Sequence, residues 1–262
     1  MFSMPSTFFG WVGFLAREYG GLFLRGTGVT LLIAITGTLL GFLLGLLVAI
    51  ARTIELSPHA GVVKRALVKL LHAVLGIYIE VFRGTPMIVQ AMVIYYGALQ
   101  YLNIDMPRLV AAIFIVSINT GAYMAEIIRG GIISIDKGQS EAATSIGLTH
   151  WQTMTSVVLP QAIRNIMPSI GNEFVVNIKD SSVLNVISVT ELFFQAKSAT
   201  GTYFKYFEVY FIIAIIYLVL TFTVTRLLRM LEKKMDGPEN YVIHGSQSDS
   251  QAAIVIHEEE RA

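Results

Sequence analysis

The 262 residues include no cysteine, which excludes a disulfide framework and any thiolate metal site. Charge is scarce as well: Asp, Glu, Lys and Arg make up 14% of the chain against 54% hydrophobic residues, and the mean hydropathy is +0.65. Soluble domains carry roughly a quarter charged residues, so this composition excludes that class and indicates an integral membrane protein. No Gly-Lys dipeptide occurs, so a GxxxxGK loop, the usual backbone cradle for ATP phosphates, is missing. There is no HExxH motif, and His59, His72, His150, His244 and His257 lack metal-ligand spacing, so no metal site is expected. The net charge of +1 gives no footprint for nucleic acid. Residues 1–19 have neither a basic n-region nor a convincing cleavage site, so no removable signal peptide is expected.

What the chain does have is long apolar runs. Between Arg25 and Arg52 about 26 residues carry no charge, enough at about 1.5 Å per helical residue to cross a core of roughly 30 Å. Further spans are expected at about 75–102, which contains Arg83 and Pro86, at 109–128, at 168–189 and at 209–227. The fourth is the weakest, because Glu173, Lys179 and Asp180 interrupt it. The fold class is therefore an all-α integral membrane protein with about five transmembrane helices. Basic residues crowd three regions: Arg52, Lys64, Arg65 and Lys69; Arg129, Lys137 and Arg164; and Arg226, Arg229, Lys233 and Lys234. By the positive-inside rule these face the cytoplasm, which puts the N-terminus outside and the C-terminus inside. Omitting the fourth span would leave the last basic cluster outside. The expected organisation is an extracytoplasmic interfacial segment at 1–25, with Phe8, Phe9, Trp11 and Phe14 on a short helix, a transmembrane domain at 26–231, and a disordered cytoplasmic tail at 232–262.

A polar island, residues 129–165, separates two of these spans. Asp136 with Gln139 makes a capping-box start, Gly147 stands where a left-handed helix cap belongs, and Thr149 with Gln152 repeats the start signal. Pro160 removes a backbone donor and disfavours an uninterrupted helix there. The pattern predicts an elbow of two short helices. Its polar side chains cannot lie in lipid, so it projects toward a soluble partner.

The charges inside the spans need partners or water. Lys179 lies about 16 Å into the fourth span, near the midplane where transporters bind substrate. Glu173, Asn177 and Asp180 are spaced to share one helical face, as are Asn119, Tyr123 and Glu126 on the third span. The two stripes can line one aqueous path in which Lys179 or Arg83, beside Asp180 or Glu173, meets both charges of an amino acid; equally, the charges can pair with one another as a gate or helix clamp. Gly37, Gly41 and Gly45 recur at intervals of four, as do Ser117, Gly121 and Ala125, which permits close helix packing.

The island reads Gly138-Gln-Ser-Glu141-Ala142-Ala143-Thr-Ser-Ile-Gly147, followed by Leu159-Pro160-Gln161-Ala162. It resembles the EAA loop of permease subunits in type I ATP-binding-cassette (ABC) importers. Glu80-Val-Phe-Arg83-Gly84-Thr85-Pro86, Ala122-Tyr123-Met-Ala-Glu126-Ile-Ile-Arg129-Gly130-Gly131, Asn172-Glu173-Phe174 and Lys179-Asp180-Ser181-Ser182 resemble the polar amino acid branch of that family (histidine, glutamine, glutamate, arginine). The likeness covers about residues 26–231, and Ser181 stands where the branch usually has Thr, keeping the hydroxyl. It implies a permease that catalyses no covalent step, two cytoplasmic ABC ATPase subunits, a second permease copy or paralogue, an extracytoplasmic solute-binding protein and a polar amino acid substrate. ATP and magnesium would then sit on the partner ATPase, with no cofactor on this chain. Gly138, Glu141, Ala142, Ala143, Gly147 and Pro160 would engage the ATPase, and Arg83, Asn119, Tyr123, Glu126, Glu173, Asn177, Lys179, Asp180 and Ser181 would line the path. The implied location is the prokaryotic cytoplasmic (inner) membrane. The alternatives are a self-sufficient ion-coupled carrier, for which an inverted repeat would be expected and none is seen, and a membrane-embedded enzyme.

Overall fold

The computed structural model describes residues 4–54 and 61–236, and every regular element among them is helical. Helix α1 (Phe8–Arg52) starts at Thr7, whose hydroxyl accepts the Gly10 N–H at 3.2 Å, and runs 45 residues, about 67 Å. It does not break near Arg25. The short separate helix expected there is its opening turns, because no proline interrupts them, and Trp11 and Phe14 pack on Tyr203.

The second expected span is two helices, α2 (Val62–Gly84) and α3 (Met87–Leu102), parted at Thr85 and Pro86. Thr85 is extended (φ −124°, ψ 147°), the conformation that a following proline favours, so the helix cannot pass through. Helix α4 (Arg108–Ile133) is followed by α5 (Lys137–Ser145). Then come α6 (His150–Thr153), a π-helical turn (Met154–Val158) and α7 (Leu159–Asp180), of 4, 5 and 22 residues, 31 in all. Met154, Leu159 and Val158 at the junctions keep right-handed helical dihedrals, so the three form one rod. The second arm of the elbow is therefore not a short helix, and the fourth span starts well before residue 168. The interruption expected at Pro160 takes the form of the wider π turn immediately before it, which re-spaces the carbonyls around the missing donor and lets the rod continue. A 3-10 segment (Ser181–Ile187), α8 (Leu192–Tyr203) and α9 (Tyr206–Asp236) complete the chain. Residues 232–236, expected in the tail, belong to α9; the rest of that tail, 237–262, lies outside the described residues.

By length and apolarity α1, α4 and residues 206–232 of α9 can each cross a membrane, and α3 is a shorter apolar helix. Helix α7 fails that criterion, as its charges lead one to expect. Helix α4 is the central post, touched by α1, α2, α3 and α7. Its seam with α1 is close because a Cβ on Gly41 would stand 2.7 Å from Thr120 Cβ, and one on Gly45 2.8 Å from the Ala125 backbone nitrogen. Ile33, Ala112, Ile115, Leu184 and Ile187 fill the adjoining core. One polar knot crosses it: Asn177 on α7 donates to the Thr38 hydroxyl of α1 at 2.8 Å and meets the Thr120 hydroxyl of α4 at 3.0 Å.

Candidate functional site: an elbow, a charge cluster and a broken helix

The elbow is built by local chemistry. The Asp136 carboxylate caps α5 by accepting the Gly138 N–H at 2.6 Å, rather than through the expected exchange with Gln139. At the other end Gly147 has φ +88°, its N–H reaches the Thr144 carbonyl, and the Leu148 N–H reaches the Ala143 carbonyl at 3.1 Å. That pair of bonds is a Schellman closure, and it satisfies the last carbonyls of α5 without outside help. Thr149 and Gln152 then form the full reciprocal capping box that opens α6. Gly138, Glu141, Ala142 and Gly147 are exposed, Pro160 is exposed at the head of α7, and Ala143 is buried beneath α5. Ile146 and Trp151 flank the glycine at 80% and 63% exposure, two apolar side chains left uncovered by the described residues. The Glu141 carboxylate has no ion pair among the described residues.

The second feature is a knot of charge where α1, α2 and α4 converge. Glu126 accepts from Arg52 at 2.8 Å on one oxygen and from Arg129 at 2.8 and 3.1 Å on the other. Arg83 stands 4.0 Å from the same carboxylate, and its guanidinium lies over the Tyr123 ring, 5.6 Å from the centroid. A cavity of about 290 Å³ opens here, lined by Arg52, Glu80, Arg83, Glu126 and Arg129. Three guanidiniums around one carboxylate leave donors to spare, and Arg83, with the longest contact, is the least committed. The stripe expected on the third span thus exists, but Asn119, Tyr123 and Glu126 all meet the last turn of α2.

The stripe on α7 divides. Glu173 is half-buried and lies within electrostatic reach of both Asp180 and Arg83. Asp180 and Lys179 are exposed, but Lys179 lines a different, largely apolar cavity of about 320 Å³ with Ser182, Phe193, Tyr210 and Tyr217. Asn177 is buried with its amide given over to Thr38 and Thr120, and buried Ser181 donates to the Ile178 carbonyl at 2.9 Å. The Asn177 amide ties α7 to α1 and α4, and the Ser181 hydroxyl closes its own turn. Glu173 thus lies within electrostatic reach of Arg83 and of Asp180, Lys179 neighbours Asp180 while lining the second cavity, and Asn177 and Ser181 are turned to hydrogen bonds within the protein.

Three participants escaped the sequence. Arg52 was legible only as a topology signal. Gln90 is a lone amide in an apolar run, four residues past Pro86, and that spacing was the available clue. Glu191 is fully buried: its oxygens accept the Phe193 and Phe194 N–H groups at 2.7 Å each and the Tyr217 hydroxyl at 3.2 Å, which pins the start of α8 to α9. Glutamate is not a favoured N-cap, so nothing flagged it.

Membrane-length helices around a central post, with a charged vestibule at one end and an exposed elbow joined rigidly to the charged helix, define a transport permease subunit. Residues 58–237 match the family described as binding-protein-dependent transport system inner membrane component, and the chain belongs to that family, the membrane subunits of ABC transport systems. It is 37% identical over 219 residues to the glutamine transport system permease protein GlnP of Escherichia coli K12, covering 82% of this chain and 93% of that one. It is 33% identical over 212 residues to the arginine transport system permease protein ArtQ of Bacillus subtilis, covering 81% and 91%. A solved amino acid ABC transporter with histidines superimposes with a TM-score of 0.75 at 38% identity, over 88% of this chain and all of that one. The inward-facing MetNI methionine ABC transporter shares the fold at a TM-score of 0.68 and 18% identity, over 82% and 96%.

Proposed function

We propose that this permease imports polar amino acids, moved by ATP hydrolysis on separate subunits that grip its elbow. The observation that carries this reading is mechanical. The capped turn at Gly147 feeds directly into a 31-residue rod, about 46 Å long, whose far end carries Glu173 and Asp180. A push on α5 is delivered to the charged neighbourhood through one stiff helix and not through a flexible loop. The names of the relatives, glutamine and arginine permeases, support a polar amino acid as cargo. Arg83 would take its carboxylate, and Glu173 or Asp180 its ammonium. Asn119, Tyr123 and Glu126 hold Arg83 in place.

In this reading five crossings, with α2 and α3 as one broken crossing, put the N-terminus outside and α5 in the cytoplasm. Two ATPase subunits, carrying ATP and magnesium, meet Glu141, Ala142 and the exposed Ile146 and Trp151; a second permease copy or paralogue completes the pore, and an extracytoplasmic binding protein supplies the substrate. Because the chain has no cysteine, Glu141→Cys provides a unique thiol. It should react with an impermeant maleimide only from the cytoplasmic side, and lose that reactivity when the ATPase is bound. Labelling from the outside would place α5 beyond the motor and end the proposal.

A further inference from the structure

Pro86 leaves one identifiable acceptor open. In a continuous helix its N–H would bond to the Phe82 carbonyl four residues back, and proline has none to give. That carbonyl is nevertheless satisfied. Gln90 Nε2, reaching back from the first turn of α3, donates to it at 2.8 Å, and Asn119 Nδ2 from α4 approaches it at 3.3 Å. The same Gln90 amide nitrogen lies 2.9 Å from the Thr85 carbonyl and 2.9 Å from its hydroxyl, and its oxygen accepts from Asn119 at 2.9 Å. Thr85 in turn donates to the Val81 carbonyl at 2.8 Å. Gln90 is 6% exposed, so these bonds are not shared with bulk water. Gln90 and Asn119 thus both reach the Phe82 carbonyl in the last turn of α2, where Phe82 is followed directly by Arg83.

We propose that Gln90 is a positioning residue for transport: its amide replaces the hydrogen bond that Pro86 removes, fixes the bend between α2 and α3 against α4, and so aims Arg83 at Tyr123 and Glu126. The role rests on Arg83 working in the translocation path as proposed above. Without the amide, the Phe82 carbonyl keeps only the long bond from Asn119, and the turn that carries Arg83 is free to tilt.

A double-mutant cycle on the complete reconstituted complex, with ATPase and binding protein, tests this by uptake of radiolabelled glutamine and, separately, arginine. Gln90→Met keeps the length of the side chain and removes both donor and acceptor. It should lower uptake about tenfold, the size expected when a buried carbonyl loses its partner. Arg83→Ala should lower it at least as much, and the double variant should be no worse than Arg83→Ala alone, since Gln90 acts through Arg83. Multiplicative losses in the double variant, or wild-type uptake by Gln90→Met, would overturn the positioning role. Wild-type uptake by Arg83→Ala would instead remove the reading of the path. If Gln90→Met fails to copurify with the ATPase, Thr85→Val, which deletes one of its three acceptors, enters the same cycle and is judged by the same non-additivity.

Discussion

The chain bends at Gly147 and again at Thr85 and Pro86, and the two bends are closed by different means. At Gly147 everything needed lies within residues 136–152: a carboxylate cap, a left-handed glycine, two backbone bonds and a capping box. At Pro86 the freed carbonyl is met by an amide one turn ahead and by another 33 residues further along, on α4. The first bend is exposed and self-sufficient, which suits the part proposed to be gripped by the ATPase. The second leaves Thr85 and Pro86 exposed but is closed by Gln90, which is buried, so it depends on packing to bring donors to it.

The contrast is sharpest if each bend is broken by its own weakest part. Gly147→Val forces a β-branched residue to φ +88°, a strain of about 1–3 kcal/mol, and should cut coupled uptake more than tenfold while ATP hydrolysis continues. Gly147→Asn, which tolerates that region, should be far milder; equal losses from both would show that the conformation is not what matters. Asn119→Leu should cost about 1–2 kcal/mol, seen as a lower midpoint of thermal unfolding in detergent, because the buried Gln90 oxygen loses its donor. Asp136→Ala should cost about 1 kcal/mol confined to α5, read as faster amide exchange at residues 137–141 with α2 and α3 unaffected. Exchange that also rose around Pro86 would mean the two bends are not independent. The smallest effect on stability belongs to Trp151→Ala, which is exposed and should leave unfolding unchanged while weakening copurification with the ATPase.

Much of this was legible in advance. The apolar runs, the low charge and the caps at Gly147 and Thr149 depend on nearest neighbours along the chain, and they appear where the pattern puts them. The glycine periodicity of α1 likewise anticipated its seam with α4. The failures have a common cause. Pro160 disfavours an uninterrupted helix and Pro86 falls inside one apolar run, whereas the structure passes the first by way of a π turn and breaks at the second. A proline removes one donor in either case; whether the helix continues depends on what neighbouring turns and helices can offer the stranded carbonyl. The stripe on α7 failed in part for the same reason, since Asn177 satisfied its spacing but found Thr38 and Thr120 instead of the path.

Sequence by itself determined that this protein lives in a membrane, that it is helical, and that it presents a capped elbow, because hydropathy, helix periodicity and capping act over a turn or two. Only the tertiary structure decided that Arg83 meets Glu126 and Tyr123, that Gln90 and Asn119 close the break at Pro86, and that Lys179 stands apart from Glu173. Those are contacts between residues tens of positions apart, and in an apolar medium each polar group takes whichever partner the packed helices bring within bonding distance.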